Sequence, residues 1–389
     1  MFSKRTQWEL SPNALARALA SRRAAGGSVV DLTITNPTEV GLRHPPSFFA
    51  ELAHAGEASY DPKPLGLDSA REAVADYYRA RGSACEAQNV WLCASTSEAF
   101  SWLLALLCDP GDAVLVPRPG YPLLDYLAAL AGARLVHYPL RWHGRWQVDV
   151  AELRAVARAE PRARAVVATS PGNPTGAVLG AGELRGLESL CAELGLAAVV
   201  DEVFGDYPLD PGAPAFRSAV GPRECLCFVL SGLSKVAALP QWKLGWGVTS
   251  GPAELVRRAD ERLALVADTF LSVSTWAQLA LPKILRAAPA MQARIRARTA
   301  GNLAVLRKAL AGGAASVMAG EGGWAAVLRL PAVGRDDEGW ALALLERGVL
   351  LHPGSLYDLD GCHAVLSLLP EPELFAAGAQ TLARALADA

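Results

Sequence analysis

From about residue 68 to residue 250 short apolar runs alternate with stretches of helical length, with Gly, Pro or Asp at the junctions. The runs are VWLCAS (90–95), AVLVP (113–117), RLVHYPL (134–140), AVVATS (165–170), AAVVDE (197–202), CLCFVLS (225–231) and LGWGVTS (244–250). Near-continuous apolarity over so few residues suits strands covered on both faces, and residues 98–107, 123–131 and 183–194 carry the helical period between them. The pattern predicts an α/β fold whose large domain is built on a seven-stranded, mostly parallel sheet.

The flanks differ. Residues 11–25 predict a helix with Ser11 as N-cap, Pro12 in its first turn and Gly26-Gly27 as its end. Residues 31–41 read as extended and then broken by Pro37. Past Gly251 the chain is helix-rich and Arg-rich over 253–311, with a break expected at 287–290 around Pro289. Strands at 325–330, 349–353 and 363–369 and helices at 337–347 and 371–388 then predict a smaller α+β domain. The expected division is 42–285 for the large domain, with 1–41 and 286–389 together forming the small one.

Composition narrows the function classes. The 389 residues are 51% hydrophobic and 20% charged, with a net charge of −2, which gives no general attraction to nucleic acid or an anionic membrane. Seven Cys without a C-x-x-C, and no His pair at zinc spacing, argue against a disulfide scaffold or a structural metal site, so no metal is expected. The polar start lacks the apolar stretch of a secretory signal and no apolar run reaches the roughly 18 residues of a membrane span, which together predict a cytoplasmic protein. Of the 37 basic residues only six are Lys (4, 63, 235, 243, 283 and 308), so any lysine chemistry falls on one of these.

In parallel sheets ligands bind beyond the carboxyl ends of the strands, and here those exits are rich in polar residues. Ser95-Thr96-Ser97 opens a helix, where hydroxyls and free N–H groups suit an anion, or serve only as a cap. Tyr121 follows the second strand and Asn173 stands in the turn SPGNPTG (170–176) after the fourth. Asp201 ends the fifth, a carboxylate after buried apolar residues that needs a partner or acts as a plain cap. Lys235 follows the sixth, either a solvated side chain or a Schiff-base nucleophile activated by desolvation. Together an anion cradle, an aromatic ring, an Asn, a buried carboxylate and a Lys suit pyridoxal phosphate, a planar phosphorylated carbonyl compound with a basic ring nitrogen.

YDPKPLGLDSARE (60–72), STSEA (95–99), PGY (119–121), SPGNPTGA (170–177), VDEVF (200–204), SGLSK (231–235) and WKLGWGV (242–248), in this order, resemble the class I/II aminotransferases of pyridoxal-phosphate fold type I over nearly the whole chain. The resemblance implies that Lys235 holds the cofactor, Asp201 pairs with its pyridine nitrogen, Asn173 faces its phenolic oxygen and Tyr121 stacks on its ring. Ser95, Thr96 and Ser97 would cradle the phosphate, with a weaker role for Ser231. Tyr60 would reach the phosphate of a neighbouring subunit, which implies a homodimer with shared active sites. The implied reaction passes an amino group from a small-molecule amino donor to an oxo-acid acceptor. Thr35 and Asn36 would line the substrate pocket with Asn173.

Four positions depart from the family pattern. Phe204 stands where a Tyr usually supports the phenolic oxygen, and Lys243 where an Arg usually holds the phosphate. Gly232 replaces a common Ser, with Ser231 beside it. Val365 occupies the position of the Arg that clamps the substrate α-carboxylate, and residues 348–383 contain no Arg or Lys. Arg329, Arg118 and Arg43 are the candidate substitutes; otherwise the substrate lacks a carboxylate there. These gaps keep open a pyridoxal-phosphate lyase of the same fold and a catalytically silent cofactor-binding effector. A nicotinamide dehydrogenase fits poorly, since the nearest glycine string, 245–250, is late and incomplete.

Overall fold

The computed structural model describes residues 1–52, 60–209, 216–271, 273–318 and 320–388. All seven expected strands of the large sheet form: Val90–Cys93, Ala113–Arg118, Arg134–Trp142, Ala163–Thr169, Ala197–Asp201, Cys227–Gly232 and Gly245–Ser250. A further short strand, Trp146–Val148, folds back on Arg134–Trp142 as a hairpin that the sequence reading missed. Its three residues are too few to show a period.

From one edge the spatial order is 90–93, 245–250, 227–232, 197–201, 163–169, 113–118, 134–142, 146–148. The four pairings between 227–232 and 134–142 are parallel, and 245–250 runs antiparallel to both its neighbours. Side chains alternate across the sheet. Val199 packs with Trp91, Phe228 and Leu230 on one face, while Val200 packs with Val229, Leu233 and Trp246 on the other. Both faces are buried, which explains why these strands read as unbroken apolar runs. The parallel strands deliver residues 95, 119–122, 170–176, 201 and 235 to one end of the sheet. Because 245–250 runs the other way, Lys243, just before its start, arrives at that end too.

The second sheet has four antiparallel strands in the order Ser316–Met318, Ala325–Arg329, His363–Ser367, His352–Pro353. The expected strand 349–353 is split: Val349–Leu350 pairs instead with Val30–Asp31, which ties the N-terminal segment to the C-terminal one.

Two helix expectations are corrected. The first helix is Ala14–Ala24, and Asn13 caps it by accepting from the Ala16 N–H, so neither Ser11 nor Pro12 has the expected place. No break occurs at 287–290: one helix runs Thr275–Ala309 with Pro282 and Pro289 inside it. Pro costs about 3 kcal/mol in a helix interior. Here burial outweighs that cost, since Ala277, Leu281, Ile284, Ala288, Met291 and Ile295 form a buried stripe through both prolines. Buried amides tie the same helix to its surroundings: Gln292 donates to the Val236 carbonyl and Asn302 to those of Leu368 and Pro370.

Candidate active site

The strand ends open on a cavity of about 450 Å³ lined from both sheets. Ser95, Thr96, Ser97, Tyr121, Asn173, Asp201, Phe204, Lys235 and Lys243 line it from the large sheet, and Thr35 and Val365 from the other side.

Two of the expected residues stand elsewhere. Ser231 is a buried strand residue whose side chain faces a separate cavity with Tyr78 and Glu202; Ser234, one residue before the lysine, lines the main cavity in its place. Alternation along the strand and entry into the short helix Leu233–Val236 account for the difference. Asn36 is held in its own turn, accepting from the Thr38 N–H and hydroxyl and donating to Glu39, and does not line the cavity. Tyr60, expected at a neighbouring subunit's site and not at its own, is exposed on the surface of the single chain and is not part of the cavity lining.

Helix Thr96–Leu107 starts at the cavity. Ser95 accepts from the Glu98 N–H at 3.2 Å, while the Glu98 carboxylate takes the Ala94 N–H at 2.5 Å. Ser95 is therefore an N-cap, as the plain reading allowed, and the cap holds the positive helix end toward the cavity. Lys243 adds a full positive charge nearby, with its backbone in the left-handed region at φ 50°. A non-Gly residue held there is uncommon and fits a site whose surroundings fix it.

Asp201 and Lys235 shift in opposite senses. Burial pushes the Asp201 carboxyl up to about 6, against the Val203 N–H and the Lys235 charge, which both favour ionisation. Burial lowers the pKa of the Lys235 ammonium below its usual range, with Asp201 opposing. The Lys235 amine also sits 5.0 Å from the Trp324 ring centre and 5.6 Å from that of Phe204. A lysine so placed has a larger neutral, nucleophilic fraction than one in water.

Tyr207 does not stand in for the hydroxyl missing at Phe204. It is fully buried and donates to the Lys235 backbone carbonyl at 2.5 Å, so its hydroxyl is committed to the main chain.

Among the described residues lining the cavity there is no arginine. Arg118 lies 3.7 Å from Asp358 and 3.9 Å from Asp360, Arg43 donates to the Thr38 carbonyl, and Arg329 is exposed opposite His363. None of the three candidate substitutes lines the cavity. The small sheet instead contributes Val365, His352 and Tyr357, the last two missed in the sequence. Register explains the meeting: His352 pairs directly with Val365, and Tyr357 follows in the turn Gly354–Tyr357. The Gly120 N–H donates to the Tyr357 carbonyl at 3.1 Å, joining the Tyr121 loop to that turn.

These features can be set beside known proteins. Residues 37–364 match the model of the family described as Aminotransferase class I and II. The Alanine aminotransferase of Mycobacterium tuberculosis (H37Rv) is 30% identical over 267 residues, covering 67% of this chain and 61% of that protein. The Glutamate-pyruvate aminotransferase AlaA of Escherichia coli K12 is 28% identical over 264 residues, covering 67% of this chain and 64% of that one. The chain thus spans less than two thirds of the length of either relative. Among solved structures, an alanine aminotransferase from Pyrococcus furiosus superposes with a TM-score of 0.90 over 100% of both chains at 22% identity. An aspartate aminotransferase mutant from Thermus thermophilus gives 0.86 at 25% identity, over 99% of this chain and 100% of that one. With the family model matched over most of its length, the chain belongs to the class I and II aminotransferases.

Proposed function

We propose that the protein is a pyridoxal-phosphate-dependent aminotransferase that moves an amino group from a small-molecule amino donor to a 2-oxo acid. One observation carries the reading: Lys235 and Asp201, a lysine with lowered pKa and a carboxylate with raised pKa, open on one cavity with Asn173 and the start of helix Thr96–Leu107. These donors fit the cofactor. Lys235 would hold its carbonyl carbon, Asp201 its ring nitrogen and Asn173 its phenolic oxygen. Tyr121 would cover one ring face. The phosphate would rest on Ser95, Thr96, Ser97 and Lys243, and Ser234 lines the same cavity.

When bound, pyridoxal phosphate supplies an electron sink for the carbanion at the amino-bearing carbon. The protein's part is to hold and move protons. A cationic ring nitrogen would keep Asp201 ionised, reversing the effect of burial. The Lys235 amine, kept partly neutral by burial and backed by Phe204 and Trp324, would carry the proton between the amino-bearing carbon and the cofactor. Phe204 has no hydroxyl to offer the phenolic oxygen, which would leave that oxygen more basic.

Two further parts of the reading concern assembly. We place the large cofactor domain at 42–285 and the small domain at 1–41 with 286–389, bridged by helix Thr275–Ala309. A homodimer would bring the exposed Tyr60 to a neighbouring cavity, and the cytoplasm is the proposed compartment. Among the described residues no helix is long and apolar enough to cross a membrane, and the seven cysteines are free.

The test is reconstitution. Loaded with pyridoxal phosphate, the protein is expected to show a visible band that Lys235→Ala removes; a wild-type protein without the band overturns the reading. The cavity's lack of arginine favours one second reading, a lyase of the same fold, which would release ammonia without an acceptor.

A further inference from the structure

Resting on the reading above, we infer that His352 and Tyr357 set the substrate specificity of this site, and that its preferred amino donor carries a neutral, hydroxylated group where an ordinary amino acid carries its α-carboxylate. The 2-oxo acid acceptor is then the more weakly held partner, because its carboxylate takes the same place. The two side chains face each other across 3.0 Å, Nδ1 to phenolic oxygen, and both line the cavity beside Val365. Whichever of the two donates in that bond, Nε2 and the phenolic oxygen are left with one donor and one acceptor between them, ready for a partner.

Charge points the same way. Lys235, Lys243 and Asp201 are taken up by the proposed cofactor, and the charged side chains left in the lining are Asp125 and Asp358. A third carboxylate, Asp31, also acts on His352 and itself accepts from the Thr33 N–H and hydroxyl. Burial nonetheless lowers the His352 pKa, and burial with Tyr121 close by raises the Tyr357 hydroxyl to about 12, so both stay neutral near pH 7. An entering carboxylate would meet a neutral pair in a cavity whose remaining charged side chains are acidic, Asp125 and Asp358, the latter 3.7 Å from Arg118. A hydroxyl meets matched donors and acceptors, with the Thr33 and Thr35 side chains in the same lining.

The experiment compares L-alanine with L-alaninol, the same skeleton with the carboxylate replaced by a hydroxymethyl group, by titrating the visible band of the cofactor-loaded protein. L-Alaninol is expected to bind at least about tenfold more tightly, the scale of one or two neutral hydrogen bonds against an unmatched charge. Tyr357→Phe, which keeps the ring, is expected to weaken L-alaninol about three- to tenfold and L-alanine by less, so that the preference shrinks. His352→Leu should do the same, and His352→Gln, which still pairs with a hydroxyl, should restore most of the preference. Equal or tighter binding of L-alanine, or a preference untouched by Tyr357→Phe, overturns the inference while the cofactor reading stands. A wild-type protein that shows no band overturns both.

Discussion

The Tyr207 hydroxyl donates to the backbone carbonyl of Lys235 at 2.5 Å, so the tyrosine three residues past Phe204 serves as a strut for the lysine. A second strut is the Gln292 side chain, which donates to the carbonyl of the next residue, Val236. Between them they hold the short helix Leu233–Val236 from which the lysine projects.

Removing the first strut has a defined cost. Tyr207→Phe leaves the ring packed against Trp324, 5.0 Å between ring centres, but removes one donor to the Lys235 carbonyl, which keeps the Ala238 N–H at 3.3 Å. The expected loss is about 0.5–1.5 kcal/mol of stability in denaturant unfolding, with reduced turnover because Lys235 is less firmly placed. Wild-type stability and turnover in this variant would show that the strut is idle.

Restoring the missing hydroxyl addresses the chemistry directly. Phe204→Tyr puts a donor into the cavity where Phe204 now presents none. A hydrogen bond to an ionised oxygen is worth roughly 1.5–3 kcal/mol, or about one to two pH units. The pH midpoint of the cofactor's visible band is therefore expected to fall by about that much; an unchanged midpoint would mean residue 204 does not face the phenolic oxygen.

Asp201 makes the cofactor-free protein pH-sensitive. Its folded pKa of about 6 lies above the ordinary 3.8, so its contribution is fully present below the ordinary value and is lost as pH rises through 6. The penalty at pH 7.5 is roughly 1–3 kcal/mol, since the cavity admits some water. Cofactor-free Asp201→Asn is expected to melt higher than wild type at pH 7.5 and to lose that advantage near pH 4, while binding the cofactor more weakly. A melting difference independent of pH would remove Asp201 as the cause.

Much of this site was legible because strand-exit residues are local signals. The apolar run before Asp201 and the turn around Asn173 announce both the strand and the special residue after it. Ser231 failed because a sheet-to-helix junction changes which side chain faces the cavity, and neighbouring residues carry no mark of that change. His352 and Tyr357 depend on antiparallel register between distant segments, which no window of sequence contains. The Pro289 break was overruled by a buried stripe whose partners lie far along the chain.

Val365 offers a gain-of-function variant. Val365→Arg returns a bidentate cation to the cavity wall, where truncating such a charged contact costs roughly 2–5 kcal/mol. L-Alanine is expected to bind about 30-fold more tightly or better, the low end of that range. No improvement in a folded, cofactor-loaded variant would mean this strand does not meet the α-carboxylate position.

Amino transfer itself is tested most directly by one turnover without acceptor. The cofactor-loaded protein is mixed with an amino donor that bleaches the visible band, and the cofactor and products are weighed by mass spectrometry. The expected result is one equivalent of carbonyl product, the cofactor recovered as pyridoxamine phosphate and no free ammonia. Ammonia released with the cofactor unchanged, or a band that no amino donor alters, would contradict the assignment of this cavity to transamination.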